Sequence, residues 1–254
     1  MVSKVQDIFM LLGDSITQGG WENGGFGHRL SHVYARKLDL INRGLSGYNT
    51  EWAIPVFEQC FPTKAQQEHS PRVRLLTIWF GANDACIRPS PQHVPLPKFT
   101  ENIRKLVHIV KSPESDYYSP DTRIILITPP PINTYQRKAD LASRNPPLEL
   151  DRKFEITQAY AKAVKDVGRE EGVAVCDIWS IFWEAVGRDE QSLSRFFSDG
   201  LHPNEAGYTI VYESLMKTIQ NEYPELHHLN LPYVFPPWAE INWDNPHSSL
   251  VLKQ

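Results

Sequence analysis

The chain has 254 residues, of which 41% are hydrophobic and 22% charged, and its formal net charge at pH 7 is -4. These values are ordinary for one globular domain that is large enough to bury a core without disulfides or a structural metal. The slight negative charge and the lack of a dense Lys/Arg cluster argue against a nucleic-acid-binding protein and against attraction to anionic lipid surfaces.

The three cysteines, Cys60, Cys86 and Cys176, lie far apart and form no CxxC pair. A zinc site or a redox motif is therefore not expected, and this cysteine usage fits a reducing compartment. The apolar run at residues 8–12 is too short for a secretory signal, and no apolar stretch approaches the length of a membrane span. The sequence predicts a cytoplasmic protein.

Short apolar runs alternate along the chain with longer amphipathic stretches. Most of the runs are continuous, which is typical of strands that are buried on both faces of a parallel sheet. They cover residues 5–12, 38–42, 73–80, 122–128 and 173–178. Apolar side chains at helical spacing predict helices at residues 27–37, 50–61, 98–111 and 148–171, and a final helix that opens at Pro203.

This alternation predicts a doubly wound, three-layer α/β/α sandwich with about five parallel strands in the flavodoxin-like order 2-1-3-4-5. One proline-rich segment, residues 129–147, is irregular and is predicted to form a lid or a pocket wall. Residues 224–254, the C-terminal tail, are rich in proline and aromatic residues. We expect the tail to wrap as extended chain over the main domain, residues 1–223, or to contact a partner chain.

Polar residues and glycines follow the first three predicted strands. Ligands of open parallel sheets bind beyond the carboxyl ends of the strands, so these positions are candidates for chemistry. Ser15 follows the first strand, Gly47 the second and Asn83 the third. Taken singly, each has an ordinary alternative: a helix cap or turn serine, a common strand-to-helix turn, or an Asx-turn. Together they offer a hydroxyl, a close backbone approach and an amide donor for developing negative charge.

Asp199 and His202 lie three positions apart and are pinned by the turn residues Gly200 and Pro203. His202 could take a proton from Ser15, while Asp199 holds the tautomer of the imidazole. A surface turn with an incidental histidine is the alternative, and a metal pair is less favoured because no further ligand cluster is evident. Independent turns would rarely supply all of these groups, so the combination predicts a serine hydrolase with oxyanion donors at Ser15, Gly47 and Asn83.

These blocks resemble those of the SGNH/GDSL hydrolase superfamily, over residues 8–207. The four residues that give the superfamily its name are matched by Ser15, Gly47, Asn83 and His202. Asp199 matches the acid of the DxxH motif, and Ile16 replaces the usual leucine of the first motif. Within the superfamily the chain is most similar to the isoamyl acetate-hydrolysing esterases. The resemblance implies hydrolysis of short-chain acyl esters through an acyl-enzyme, with no cofactor or metal, by a protein that forms a homodimer.

Several aromatic residues lie near the motifs and are predicted to line an apolar acyl or alcohol pocket, with core packing as the alternative. They are Trp21, Phe26, Tyr48, Trp52, Phe196 and Phe197. A lysophospholipase or an acyl-thioesterase is the main alternative function, and polysaccharide deacetylation is less favoured because a secretory signal is not seen. A non-catalytic binding module of the same fold is remote, because its signature would be the loss of Ser15, Asn83 or His202.

Overall fold

Five parallel strands form the central sheet of the computed structural model, which describes residues 5–252 of the chain. The strands are β1 (Ile8–Gly13), β2 (Asp39–Gly44), β3 (Val73–Trp79), β4 (Arg123–Ile127) and β5 (Ala174–Cys176). Their order is β2-β1-β3-β4-β5, and every neighbouring pair is parallel. The predicted strand order is therefore confirmed.

Helices cover both faces of this sheet. They are α1 (Ser15–Gln18), α2 (Phe26–Val33), α3 (Thr50–Cys60), α4 (Lys64–Gln67), α5 (Leu96–Lys111), α6 (Thr134–Ala142), α7 (Phe154–Glu171), α8 (Ile178–Ala185) and α9 (Glu205–Glu222). Alternate side chains of β1 enter two separate cores, because successive residues of a strand point to opposite faces. Phe9 and Leu11 pack with α2, α8 and α9, whereas Met10 and Leu12 pack with α3, α5 and α7.

Two predicted helix starts are wrong because side chains near them have other partners. The helix predicted from residue 148 begins at Phe154, since the Arg152 side chain is buried and donates to the Ala82 carbonyl. The final helix begins at Glu205 rather than at Pro203. The side chain of Asn204 caps it by accepting from the backbone N–H of Gly207 at 3.0 Å.

Four of the described helices were not predicted: the four-residue helices α1 and α4, and the longer α6 and α8. The two longer helices were missed for different reasons. Helix α6 lies inside the segment that was predicted to be irregular, where prolines on both sides concealed a helix capped by the side chain of Asn133. Helix α8 follows β5 directly, and its apolar start extended the strand predicted at residues 173–178. The strand ends at Cys176 because Asp177 caps the new helix, its side chain accepting from the N–H of Ser180.

The described part of the C-terminal tail contains only short 3₁₀ turns and packs beside the end of α2. The Arg36 guanidinium donates to the carbonyl of Phe235 at 3.1 Å, so the tail is tied to the main domain by its backbone. Trp238 and Trp243 remain 72% and 73% exposed. Contact of the tail with a partner chain stays a prediction. Within residues 5–252, no helix combines the length and the apolar character that crossing a bilayer requires.

Gly44, the last residue of β2, sets how closely α1 can approach the sheet. A Cβ atom placed on Gly44 would lie 2.0 Å from the backbone nitrogen of Gln18 in α1. Backbone atoms cannot rotate away, so Gly44→Ala should displace the helix that carries Ser15. We expect a loss of about 1–3 kcal/mol in the free energy of unfolding together with a loss of activity.

The control for Gly44→Ala is Gly172→Ala at the end of α7. An added Cβ there meets nothing within 4 Å, although its φ of +62° strains an alanine. This variant should lose stability but keep its kcat, as measured by thermal unfolding and ester hydrolysis. Equal effects of the two variants on kcat would contradict the role assigned to Gly44.

Candidate active site

Ser15 lies at the carboxyl end of β1, which pairs with β2 on one side and β3 on the other, and is the first residue of α1. The preceding residue, Asp14, caps this helix, because its Oδ1 accepts from the N–H of Ile16 at 2.9 Å. The capping role that a serine could have at this position is therefore filled by its neighbour. The Ser15 hydroxyl is left to make a contact with a distant part of the chain.

That contact is with His202, 187 residues later in the sequence, and the Ser15 Oγ lies 2.9 Å from its Nε2. The other ring nitrogen, Nδ1, lies 2.9 Å from Oδ2 of Asp199. Because an ionised carboxylate can only accept, Nδ1 carries the proton and Nε2 faces the serine as an acceptor. The three side chains that the sequence singled out thus form one hydrogen-bonded row.

Asp199 is held by its own turn. Its Oδ1 accepts from the backbone N–H groups of Leu201 at 3.0 Å and His202 at 2.8 Å. Burial opposes ionisation of this carboxyl, but the hydrogen bonds and the charge of His202 outweigh it and hold the pKa of Asp199 far below its usual range. The carboxylate therefore stays charged beside the imidazole at neutral pH.

Gly47 occupies the third position of a tight turn, in which the N–H of Tyr48 donates to the carbonyl of Leu45 at 3.0 Å. Its φ of +80° is the value that a type II turn requires there, and glycine adopts it without strain. The amide of Gln92 donates to the Gly47 carbonyl at 2.8 Å and fixes the turn from the other side. The Gly47 N–H is not needed to close this turn.

Asn83 follows β3 and is only 4% exposed. Its Nδ2 donates to the carbonyl of Tyr48 at 2.9 Å, and its Oδ1 accepts from Arg152 at 2.9 Å. The side chain is thus bonded to two distant segments and does not form an Asx-turn with its own backbone. An amide nitrogen carries two hydrogens, so a second one remains for another acceptor.

Helix α6 supports the turn that carries Asp199 and His202. The N–H of Asn133 donates to the Gly200 carbonyl at 2.9 Å, and the Gln136 amide donates to the Phe197 carbonyl at 3.0 Å. Arg137 donates to Asp199 Oδ2 at 2.7 Å. Segment 129–147 was predicted to be irregular throughout, but its residues 134–142 form a helix that is hydrogen-bonded to the turn carrying Asp199 and His202.

Three charged residues beside the site were missed in the sequence: Arg137, Asp151 and Arg152. Arg137 is 5% exposed and Arg152 1% exposed, which is rare for arginine. Both arginines form ion pairs with Asp151, and the distance from Arg137 Nη2 to Asp151 Oδ2 is 3.0 Å. They lie in or beside a proline-rich segment without periodicity, and burial of an arginine leaves no local signal that could have identified them.

The predicted pocket residues divide into two groups. Trp21 and Trp52 are 44% and 41% exposed, and Tyr48 packs edge-on against Trp52. That these three line the pocket stays a prediction. The prediction for Phe197 is wrong, because its ring is 2% exposed and stacks on Phe182 in the core at 5.3 Å. Phe26 is likewise fully buried, and Phe196 packs edge-on against Phe182.

Two buried carboxyls lie close to the site. Burial raises the pKa of Asp14 to about 6 and that of Asp84 to about 7, against the opposing effect of their hydrogen bonds. Asp84 Oδ1 accepts from the N–H of Thr50 at 2.9 Å, whereas its Oδ2 is buried without a partner among residues 5–252. In the unfolded chain an aspartate loses its proton near pH 4, whereas the folded protein keeps Asp14 and Asp84 protonated to higher pH. The free energy of unfolding therefore falls as the pH rises from about 4 to about 7.

The substitution Asp84→Asn tests this conclusion. The variant keeps an oxygen that can accept from Thr50, but its amide cannot ionise. Its stability therefore does not show the decrease with rising pH that Asp84 causes in the wild type. We expect the difference in Tm, variant minus wild type, to be more positive at pH 8 than at pH 5. Asp121→Asn, at an exposed position, serves as the control and should show a constant difference. A pH-independent difference for Asp84→Asn would contradict the assignment.

Comparison with known proteins gives one consistent result. The model of the GDSL-like Lipase/Acylhydrolase family matches residues 11–210. An isoamyl acetate-hydrolyzing esterase 1 homolog of Bos taurus is 34% identical over 244 residues, which cover 95% of this chain and 91% of that one. A GDSL esterase/lipase of Arabidopsis thaliana is 38% identical over 215 residues, covering 84% and 85% of the two chains.

Among solved structures, the lipase/acylhydrolase from Enterococcus faecalis matches this fold with a TM-score of 0.62. The match covers 85% of this chain and 96% of that one at 22% sequence identity, so the likeness concerns the fold alone. Within residues 5–252, no three His, Cys, Asp or Glu side chains come together as a metal site would require.

Proposed function

The chain belongs to the GDSL-like lipase/acylhydrolase family and is a serine esterase, and from that premise we propose that Ser15, His202 and Asp199 hydrolyse short-chain acyl esters, acetate esters above all, through an acyl-enzyme. The observation that carries the proposal is the hydrogen-bonded row from Ser15 Oγ to His202 and on to Asp199, with both distances at 2.9 Å. A serine hydroxyl is a weak nucleophile, and an adjacent base of this kind activates it.

In the first half-reaction, Ser15 Oγ forms a bond to the carbonyl carbon of the ester while its proton passes to His202 Nε2. Asp199 stabilises the resulting imidazolium. The tetrahedral intermediate then collapses: the bond from carbon to the alcohol oxygen breaks, and the departing alcohol takes the proton from Nε2. The acyl group stays on Ser15 as an ester.

In the second half-reaction, water attacks the acyl carbon and gives its proton to the same nitrogen of His202. Collapse of the second tetrahedral intermediate breaks the bond to Ser15 Oγ, which recovers the proton. The products are the alcohol and the carboxylic acid, and the protein returns to its starting state. The chemistry needs no cofactor or metal.

Each tetrahedral intermediate carries negative charge on the former carbonyl oxygen. We assign three donors to it: the N–H of Ser15 at the start of α1, the N–H of Gly47 and the second hydrogen on Asn83 Nδ2. The first N–H groups of a helix have no partner within the helix, and the Gly47 N–H is not used to close its turn. Fixed donors of this kind stabilise charge that develops only in the transition state.

The preference for short acyl chains rests on the relatives, since the bovine relative is described as an isoamyl acetate-hydrolyzing esterase homolog. Trp21, Tyr48 and Trp52 remain the candidates for contacts with the acyl or alcohol group. Lysophospholipase and acyl-thioesterase activities are the alternatives that a substrate series distinguishes.

Two substitutions test the residue roles. Ser15→Ala should lower kcat by about 10⁴-fold or more, because it removes the nucleophile. Asn83→Ala should lower kcat by roughly 100- to 1,000-fold with a smaller change in KM, because it removes one oxyanion donor. Ser31→Ala on the exposed side of α2 is the matched control and should be fully active. Near-normal kcat in Ser15→Ala, with a Tm like that of the wild type, would contradict the proposal.

A series of p-nitrophenyl esters, from acetate to palmitate, tests the substrate class. We expect kcat/KM to be highest for the acetate or butyrate ester and to fall with each longer chain. A maximum at long chains would favour the lipid substrates, and higher activity on the matched thioesters would favour the thioesterase. Assays with and without a chelating agent should give equal rates.

A further inference from the structure

Arg137, Asp151 and Arg152 form a row of charges between the two ends of the proposed site, which we name the ionic bridge; both arginines are buried and Asp151 is partly exposed. We propose that Arg152 positions the amide of Asn83 toward the oxyanion and that Arg137 positions and partly neutralises Asp199, the two being coupled through Asp151. The inference rests on the proposed function of the site. It adds positioning residues that neither the motifs nor the comparisons identify.

The contacts of Arg152 leave its guanidinium no freedom. Nε donates to the Ala82 carbonyl at 2.7 Å, Nη2 to Asn83 Oδ1 at 2.9 Å, and Nη1 to Asp151 Oδ2. The donors of arginine are arranged in a rigid planar fork, so three fixed acceptors define one orientation. The side chain is 2% exposed, so water cannot replace these bonds easily.

This arrangement determines which end of the Asn83 amide faces the site. Arginine has no acceptor, so the atom that faces Arg152 must be the oxygen. The nitrogen therefore faces the Tyr48 carbonyl, and its remaining hydrogen is available to a substrate oxyanion. The positive charge of the Arg152 guanidinium, beside the amide oxygen, also draws electron density from the amide nitrogen. The hydrogens on that nitrogen become stronger donors.

Arg137 occupies the other end of the ionic bridge. Its Nη2 lies 3.0 Å from Asp151 Oδ2, and its Nη1 lies 2.7 Å from Asp199 Oδ2, the same oxygen that faces His202 Nδ1. Asp199 thus shares its negative charge between a permanent cation and an imidazole that becomes a cation during the reaction. Because Arg137 shares the charge of Asp199, that carboxylate stabilises the imidazolium less than it would if His202 were its only partner.

Stability alone explains the ionic bridge poorly. Removing two guanidinium groups from water is costly, and well-packed apolar residues often replace a buried ion pair without loss of stability. Each arginine, moreover, ends on a side chain of the site: Arg152 on Asn83 and Arg137 on Asp199. A function in orienting those two side chains accounts for both contacts.

A double-mutant cycle tests Arg152. Arg152→Lys keeps the charge but loses the planar fork, and we expect kcat to fall at least about tenfold with little change in KM. If Arg152 acts through Asn83, adding Arg152→Lys to Asn83→Ala should lower kcat less than about threefold further. An equal fold-loss in both backgrounds would indicate a general structural effect and overturn the inference.

The same cycle separates this inference from the proposed function. A fully active Arg152→Lys beside an impaired Asn83→Ala would overturn the role of Arg152 alone. A fully active Asn83→Ala would instead remove the proposed oxyanion donor, whatever Arg152 does. Tm values of all four proteins show whether any loss of kcat reflects unfolding.

The pH profile of kcat/KM tests Arg137 independently. The groups that face the imidazole are Ser15, Asp199 and the buried Asp14, and Arg137 faces it through Asp199. In Arg137→Gln the charge of Asp199 is no longer shared, so the imidazolium is stabilised. The acidic limb should move to higher pH by on the order of half a unit to one unit.

Arg144→Gln is the matched control for Arg137→Gln. Arg144 pairs with Asp140 at 2.7 Å on the exposed side of the same region, so its loss should leave the acidic limb in place. An unmoved limb in Arg137→Gln, or an equal movement in both variants, would overturn the role of Arg137.

Discussion

The hydrogen bond from Ser15 to His202 joins two segments that are 187 residues apart, and the proposed chemistry depends on it. The two ends of this bond are fixed by different parts of the fold. Ser15 follows β1 closely, at the start of a helix whose closeness to the sheet depends on Gly44. His202 lies on a turn that helix α6 holds by three hydrogen bonds. A parallel sheet makes this convergence possible, because the carboxyl ends of its strands meet at one edge.

The electrostatics of the site follow from the burial of several charged groups in a small volume. Asp14 and Asp84 are carboxyls whose pKa values burial raises, whereas Asp199 is kept ionised by the hydrogen bonds it accepts. The ionic bridge brings two permanent cations into the same region. Charges are costly away from water unless they are paired, so this region gives up stability relative to an apolar core. In the proposed function, these paired charges hold the groups that would contact the substrate in fixed orientations.

Much of the fold could be predicted from the sequence, because continuous apolar runs identify strands that are buried on both faces. Ser15, Gly47 and Asn83 could be singled out because they follow the first three predicted strands, and Asp199 and His202 because they lie beside the turn residues Gly200 and Pro203. Helix starts were predicted less well, since at residue 148 and at Pro203 side-chain contacts decided the outcome. The burial of Phe197 and of the two arginines is a tertiary property that no local pattern encodes. The homodimer and the cytoplasmic location stay predictions.

Covalent labelling with a fluorophosphonate reports directly on whether His202 activates Ser15, because an activated serine hydroxyl displaces fluoride from the reagent and becomes phosphonylated. We expect one phosphonyl group per chain, on the peptide that contains Ser15, with loss of esterase activity in proportion to labelling. Replacing His202 with glutamine should slow the labelling strongly while the fold persists. Full esterase activity in the labelled protein, or labelling at a different residue, would show that Ser15 is not the nucleophile.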